Sequence, residues 1–410
     1  MPEPAVKRVL LVPDGMADEP LDELGGRTPL AVANTPAMDA LARTGTVGLV
    51  RTVPAGMPPG SDVGNLSVLG YDPAAVYSGR SPLEAVNIVD LGPDDVSYRC
   101  NLVTVAGGLL KDNTAGHISN DDAHACFAAL SAALDGDGFE FYAGVTYRGL
   151  LVWRDGELVP CTPPHDILDQ PVAGHLPGEE AGEGGSPAAR RLSELQRRAG
   201  EILAGIRPAT NVWFWGEGRA PSMPRFVDLY GLRGAVVGAV DLVRGIGRYA
   251  GFDVIDVPGA TGDLDTDYGA KARAALEALR THDLVWVHVE APDEAAHMGS
   301  LSEKIKAIER IDHEVLAPLA ASRPAPAILL LPDHLTPLRT RTHDGAPVPF
   351  VFARADAGLL AASSPAQAFS ELDAERTDIL VDDGPALMRM FLAATGQGTR
   401  ALPFDPKAAP

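Results

Sequence analysis

The residues Val287 to His297 read Val-His-Val-Glu-Ala-Pro-Asp-Glu-Ala-Ala-His, and later come Leu-Leu-Leu-Pro-Asp-His at Leu329 to His334 and Thr-His at Thr342 to His343. Two apolar runs therefore end in residues that bind metal ions, the pattern of ligands set at the carboxyl ends of buried parallel strands. Asp293 and His297 stand four apart after a proline, so a helix there puts both on one face, able to grip one ion. Asp333 and His334 are adjacent and point to opposite sides of a strand end, which suits two nearby ions better than one. Two ions can clamp the attacking and leaving oxygens of a phosphoryl transfer. His343 can return to either ion. Mixed carboxylate and imidazole ligands favour Mn or Zn over Ca, and the sequence leaves the choice between those two open.

Asp14 joins this set, because Val9 to Val12 is a short apolar run, read as a buried strand, that ends in Pro13-Asp14-Gly15. Ser61 sits where a helix N-cap belongs, ahead of apolar residues at helical spacing and a stop at Gly70. Its hydroxyl then lies beside unpaired backbone N–H groups, a favourable place for phosphate.

The elements that must carry these residues follow in chain order. Helices are expected over 31–44, 121–134, 188–204, 240–250, 269–281 and 302–316. Strands are expected over 47–53, 98–105, 139–142, 150–153, 212–215, 254–257, 284–289, 327–331 and 348–352. The ends of the chain read as one α/β sheet and the middle as a mixed module. The expected division is a discontinuous metal-binding catalytic domain, 1–92 with 226–410, and an inserted α+β substrate domain, 93–225. Gly245 to Gly251 is misspaced for a dinucleotide loop, and Asp263 to Gly269 lacks the closing glutamate of a calcium loop; both readings are rejected.

With 410 residues, 46% hydrophobic and 22% charged, the chain has the composition of a globular protein of two domains. A formal charge of -21 argues against nucleic acid and against an anionic membrane as partners. An anionic substrate then needs a local basic pocket, and with 6 lysines against 28 arginines the device is planar, bidentate recognition. Arg99, Arg148 and Arg219, with Asp112 and His117, are the candidates in the middle module. Cys100, Cys126 and Cys161 have no metal or redox spacing and read as reduced thiols. The short apolar run at the start is no signal peptide and no run reaches transmembrane length, so a cytoplasmic location is expected.

The order Asp14, Ser61, Asp293-x-x-x-His297, Asp333-His334, His343 resembles the alkaline-phosphatase superfamily. Four stretches, Pro59 to Pro73, Tyr98 to Val105, Gly259 to Ala272 and Val287 to His297, resemble the cofactor-independent phosphoglycerate mutases of archaeal type. That likeness, running from Asp14 to about Phe350, implies a doubly wound alkaline-phosphatase-like sheet with an inserted smaller α+β domain. It implies two divalent ions, Mn, Zn or Mg, and no bisphosphoglycerate. One ion takes Asp293, His297 and His343; the other takes Asp14, Asp333, His334 and the Ser61 oxygen. Ser61 is then the nucleophile that carries phosphate between 3-phosphoglycerate and 2-phosphoglycerate. Lys271 matches the family's lysine that neutralises the phosphoryl group in transit, and the arginines of the insertion hold the glycerate carboxylate. The partner is a small anionic phosphorylated substrate, with oligomerisation left open.

The segment Asn211 to Pro221 departs from this pattern in its tryptophans and resembles a bacterial branch proposed to phosphorylate homoserine. A phosphotransferase acting on homoserine is therefore one alternative, although no nucleotide loop accompanies it. A metal-dependent phosphomonoester hydrolase is another, using the same residues with water as acceptor; Lys271 and the arginine-bearing module weigh against it. A non-catalytic metal-binding protein has no use for a nucleophile among its ligands.

Overall fold

The computed structural model describes residues 6–182, 185–206, 208–354 and 366–396. Its strands are β1 (Arg8–Pro13), β2 (Thr46–Val50), β3 (Val96–Ala106), β4 (Leu109–Asp112), β5 (Phe139–Ala143), β6 (Gly149–Trp153), β7 (Asn211–Arg219), β8 (Gly234–Val237), β9 (Asp253–Val254), β10 (Leu284–Val289), β11 (Ala327–Leu330), β12 (Val348–Arg354) and β13 (Leu380–Val381). The chain forms two compact units, Met1–Tyr77 with Met223–Pro410, and Ser78–Ser222.

The first unit is built on an eight-stranded sheet in the order β13-β2-β12-β11-β1-β10-β8-β9. β1 lies parallel to both β10 and β11, and β10 parallel to β8. β12 runs antiparallel to β11 and β2, so the sheet is mixed on that side. Every residue of β1 and β10 is buried, as expected of strands covered on both faces. Val9, Leu11, Val285, Val287, Ile328 and Leu330 enter one core with Ala272, Ala275, Ile308 and Ile311 from the flanking helices. The alternate residues Leu10, Trp286 and Leu329 are fully buried as well, and the strand pleat turns them to the opposite face.

Two expected helices prove to be composite. The 31–44 segment is split into Pro29–Val32 and Pro36–Thr44, because Pro36 starts a new helix. Its N-terminus is capped from a distance: the Asp312 carboxylate accepts from Ala37 N at 3.2 Å and Met38 N at 2.7 Å. Asp312 itself lies in a π-helical stretch, Ile311–Leu316, that continues the Leu301–Arg310 helix.

The second unit is a five-stranded antiparallel sheet centred on β3, which pairs with β4, β6 and β7, while β5 pairs with β6. The Asn120–Leu134 and Pro187–Leu203 helices pack on it through Phe127, Leu130, Leu192 and Leu195. This unit begins earlier than the composition suggests. Residues 78–92, expected in the catalytic domain, belong to it, because the Arg80–Ala85 helix packs on β3 and β7. At that junction Gly218 lies so close to the backbone of Ser78 that a Cβ would sit 2.0 Å from its carbonyl oxygen. Among the described residues no helix is long and apolar enough to cross a membrane.

Candidate metal centre and nucleophile

Three neighbouring strands of the first sheet, β11, β1 and β10, deliver the acidic residues. Asp14 follows β1, Asp333 follows β11, and β10 leads into the Ala291–His297 helix, whose Pro292 lies in its first turn. That helix sets Asp293 and His297 four apart, with His297 Nε2 3.0 Å from Asp293 Oδ2. His343 comes back on a loop: its Nε2 is 3.1 Å from His297 Nε2 and 3.6 Å from Asp293 Oδ1. Thr336 orients the carboxylate by donating to Asp293 Oδ1 at 2.5 Å.

Ser61 is not the N-cap. Gly60 takes that position, and Ser61 is the first residue of the Ser61–Val68 helix, with no side-chain capping bond. Its hydroxyl is thereby released from the helix end. Oγ lies 3.4 Å from Asp14 Oδ2 and 3.2 Å from His334 Nε2. Two features hold the helix there. Gly64 abuts the Asp333 backbone so tightly that a Cβ would meet its carbonyl oxygen at 2.6 Å. Asn65 Nδ2 donates to Ser61 O at 2.9 Å and Asp333 Oδ2 at 2.8 Å.

Asp293, His297 and His343 thus come together, and so do Asp14, Asp333, His334 and Ser61. The fully buried His334 lies between the sets: its Nε2 is 3.4 Å from Asp14 Oδ1 and 3.7 Å from Asp333 Oδ2, and its ring centroid is 4.1 Å from that of His343, the two rings tilted by 35°. Ligand atoms of Asp293, His334 and His343 lie within 4.8 Å of one another, as do those of Asp14, His288 and Asp333. The arrangement fits bound cations. Asp14 Oδ1 is buried with no hydrogen-bond partner. Burial, then the charges of Asp333 and Asp293, push the Asp14 carboxyl well above its usual range. The Asp293 hydrogen bond raises His297 to about 9 against the opposing effect of burial. Carboxylate and imidazole donors together suit a borderline divalent ion such as Mn or Zn.

His288 escaped the sequence reading. It sits in β10 between Val287 and Val289, inside an apolar run, and nothing in that run marks it as more than a core residue. The one available signal was its spacing from Glu290, two residues on. Lys271 also differs from expectation: it is fully buried, and its ammonium donates to Glu290 Oε2 at 2.7 Å and His288 O at 2.9 Å. Its charge is already matched by Glu290.

In the second unit, Arg99 comes together with Arg80 around Glu84. Arg99 Nε lies 3.0 Å from Glu84 Oε2 and Arg80 Nε donates to Oε1 at 3.1 Å. Arg148, exposed, is near enough to act on both Glu84 and Arg99 electrostatically. Three guanidinium groups thus gather around Glu84, planar donors of the kind that pair with a carboxylate or phosphate. The Arg99 guanidinium lies 4.2 Å over the Trp215 ring, and Trp215 Nε1 donates to Asn101 Oδ1. Trp213 is buried and donates to Thr162 O, so both tryptophans of the unusual segment have structural employment. The remaining candidates do not join the patch. Arg219 binds backbone carbonyls of Asp94 and Gly156. Asp112 closes its own turn by accepting from Thr114 and Gly116, and His117 is exposed on that turn.

The family model described as 2,3-bisphosphoglycerate-independent phosphoglycerate mutase matches residues 42–207. A protein of that name from Methanothrix thermoacetophila is 48% identical over 405 residues, covering 95% of this chain and 100% of the relative. One from Geobacter sulfurreducens, named as a probable member, is 49% identical over 407 residues, covering 94% of this chain and 100% of the relative. Among solved structures, the cofactor-independent phosphoglycerate mutase from Thermoplasma acidophilum is 26% identical with a TM-score of 0.65, covering 95% of this chain and 100% of that one. A Pyrococcus horikoshii protein is 27% identical with a TM-score of 0.79, covering 96% and 98%.

Proposed function

The chain belongs to the 2,3-bisphosphoglycerate-independent phosphoglycerate mutase family, and from that premise we propose that it interconverts 3-phosphoglycerate and 2-phosphoglycerate through a phosphoserine at Ser61. The observation that carries this reading is the Ser61 hydroxyl, first in its helix yet free of capping, within 3.4 Å of Asp14 and 3.2 Å of His334. Two divalent ions held by Asp293, His297 and His343 and by Asp14, Asp333 and His334 would supply Lewis acidity, favouring the serine alkoxide and neutralising phosphoryl oxygens.

The chain's own residues do the rest. Ser61 Oγ forms its bond to phosphorus as the bond to the C3 oxygen breaks, and glycerate leaves carrying the hydroxyl proton at C3. The C2 hydroxyl of the same glycerate then attacks phosphoserine and returns Ser61 to its starting state, so no bisphosphoglycerate is consumed. The helix N-terminus at Ser61 points backbone N–H groups at the phosphoryl group in either direction. Arg80, Arg99 and Arg148 offer the bidentate contacts that a glycerate carboxylate requires. A reducing, cytoplasmic setting agrees with three free cysteines.

The test mixes manganese-loaded protein with 3-phosphoglycerate, without bisphosphoglycerate or ATP, and follows 2-phosphoglycerate and free phosphate together. Formation of 2-phosphoglycerate with little phosphate release, lost in Ser61→Ala, is the expected result. Phosphate release alone would instead identify a hydrolase, and turnover surviving in Ser61→Ala would remove the phosphoserine.

A further inference from the structure

We infer that His288 is a ligand of the ion held by Asp14 and Asp333, with its ring tautomer fixed from behind by Glu290 and Lys271. The inference rests on the two-ion reading above and adds a residue to it.

The geometry comes from three sides. His288 is fully buried, and its Nε2 lies 3.8 Å from Asp14 Oδ2, a separation that two donors to one cation adopt. Asn65 Nδ2 is also near, at 3.3 Å. That amide has only two hydrogens, and Ser61 O and Asp333 Oδ2 accept them at 2.9 and 2.8 Å. The Nε2 lone pair is therefore left without a hydrogen, facing Asp14 and Asp333.

The other ring nitrogen explains why that lone pair exists. His288 Nδ1 makes no hydrogen bond of good geometry, yet it lies 3.4 Å from Glu290 Oε1. Glu290 is kept in place by Lys271 on its second oxygen and by Ala239 N, 3.3 Å from Oε1. Lys271 at the same time holds the His288 carbonyl at 2.9 Å. An anion beside Nδ1 keeps the proton there and turns Nε2 into a donor toward the cluster, the support that metal-bound imidazoles receive from a carboxylate behind them. Trp286 closes the ring in by edge contact at 5.9 Å between centroids. This account also gives the buried lysine a purpose: it balances the carboxylate that orients the ligand.

The test titrates metal-free protein with Mn2+ by calorimetry and with Co2+ by visible absorption, which reports the ligand set without turnover. Asp14→Asn identifies which binding step belongs to this ion. In His288→Gln that step should weaken by about 10- to 100-fold with a changed cobalt spectrum, and the other step should stay as in wild type. The paired variant Lys271→Met with Glu290→Gln keeps the ring and removes both supporting charges; about a tenfold loss at the same step is expected. Circular dichroism of the metal-free proteins checks folding, and the paired variant decides if His288→Gln does not fold. Unchanged affinity and spectrum in both variants, with two ions bound by wild type, would overturn the inference alone. A wild-type chain that takes up no ion would overturn the two-ion reading with it, whereas a failed mutase assay with intact metal binding would leave the inference standing on its own titration.

Discussion

Lys304 Nζ lies 2.8 Å from Asp18 Oδ2, and neither side chain reaches solvent. The same ammonium donates to Ala17 O at 3.2 Å and Thr336 O at 2.8 Å, while Asp18 accepts from Leu338 N. The pair thus ties the loop after β1 to the loop that carries His334 and Thr336. Removing one partner leaves a buried charge uncompensated, so Lys304→Met is expected to lose about 3–5 kcal/mol in urea unfolding. Adding Asp18→Asn should recover part of that loss. An unchanged midpoint in Lys304→Met would show that the pair does not hold the loop.

Gly64 and the Asp333 carbonyl set the distance between the Ser61–Val68 helix and the turn after β11. Gly64→Ala would place a methyl only 2.6 Å from that oxygen, and the helix would have to withdraw, taking Ser61 with it. Displacement of a reacting atom by about 1 Å costs on the order of 100-fold in rate. The expected outcome is a kcat lowered by about that factor with bound metal retained. A normal kcat would mean that Ser61 does not need this contact.

The parts of the site that depend on local geometry were legible in the sequence. Asp293 and His297 need only a helix between them, and Asp14 and Asp333 need only apolar strands before them. Residues whose role is set by distant partners were not. Lys271 looks like a cation ready for substrate until Glu290, nineteen residues on, is seen beside it. His288 is masked by the apolar strand that buries it. Ser61 has the type and place of an N-cap, and one residue's difference in where the helix begins turns its hydroxyl from a capping group into one that faces Asp14 and His334. The boundary near residue 78 was invisible for the same reason, since Gly79 and Gly218 matter only through strand β7, far along the chain.

Glu84 gives a prediction in pH. Burial alone would raise its carboxyl, but Arg99, Arg80 and Arg148 overcome that and hold it below its ordinary value. A native value below the unfolded one contributes stability above the unfolded pKa, near about 4.3, and that contribution disappears as pH falls through the native value. Glu84→Gln should therefore lower the melting temperature at pH 7, and the gap to wild type should narrow below about pH 4. Arg99, lowered to about 10 chiefly by its own burial, loses the carboxylate that opposes that fall. Equal gaps at both pH values would assign the effect to packing.

Ion removal follows from the crowding of Asp14, Asp293 and Asp333. Burial and the charges of Asp333 and Asp293 make an ionised Asp14 a cost of the folded state, relieved when a divalent ion binds and restored when it leaves. An ion present at about 100 times its dissociation constant adds about 2.7 kcal/mol to the folded state. Chelation should accordingly lower the melting temperature by several degrees, and excess Mn2+ should restore it. In Asp14→Asn the carboxyl that burial and its acidic neighbours push up is gone, and one ligand with it. The chelated variant should then melt no lower than chelated wild type, yet gain less from added Mn2+. If wild type and variant melt at the same temperature with and without Mn2+, the carboxylates are balanced by the histidines alone, and the cluster is a hydrogen-bonded network rather than a metal centre.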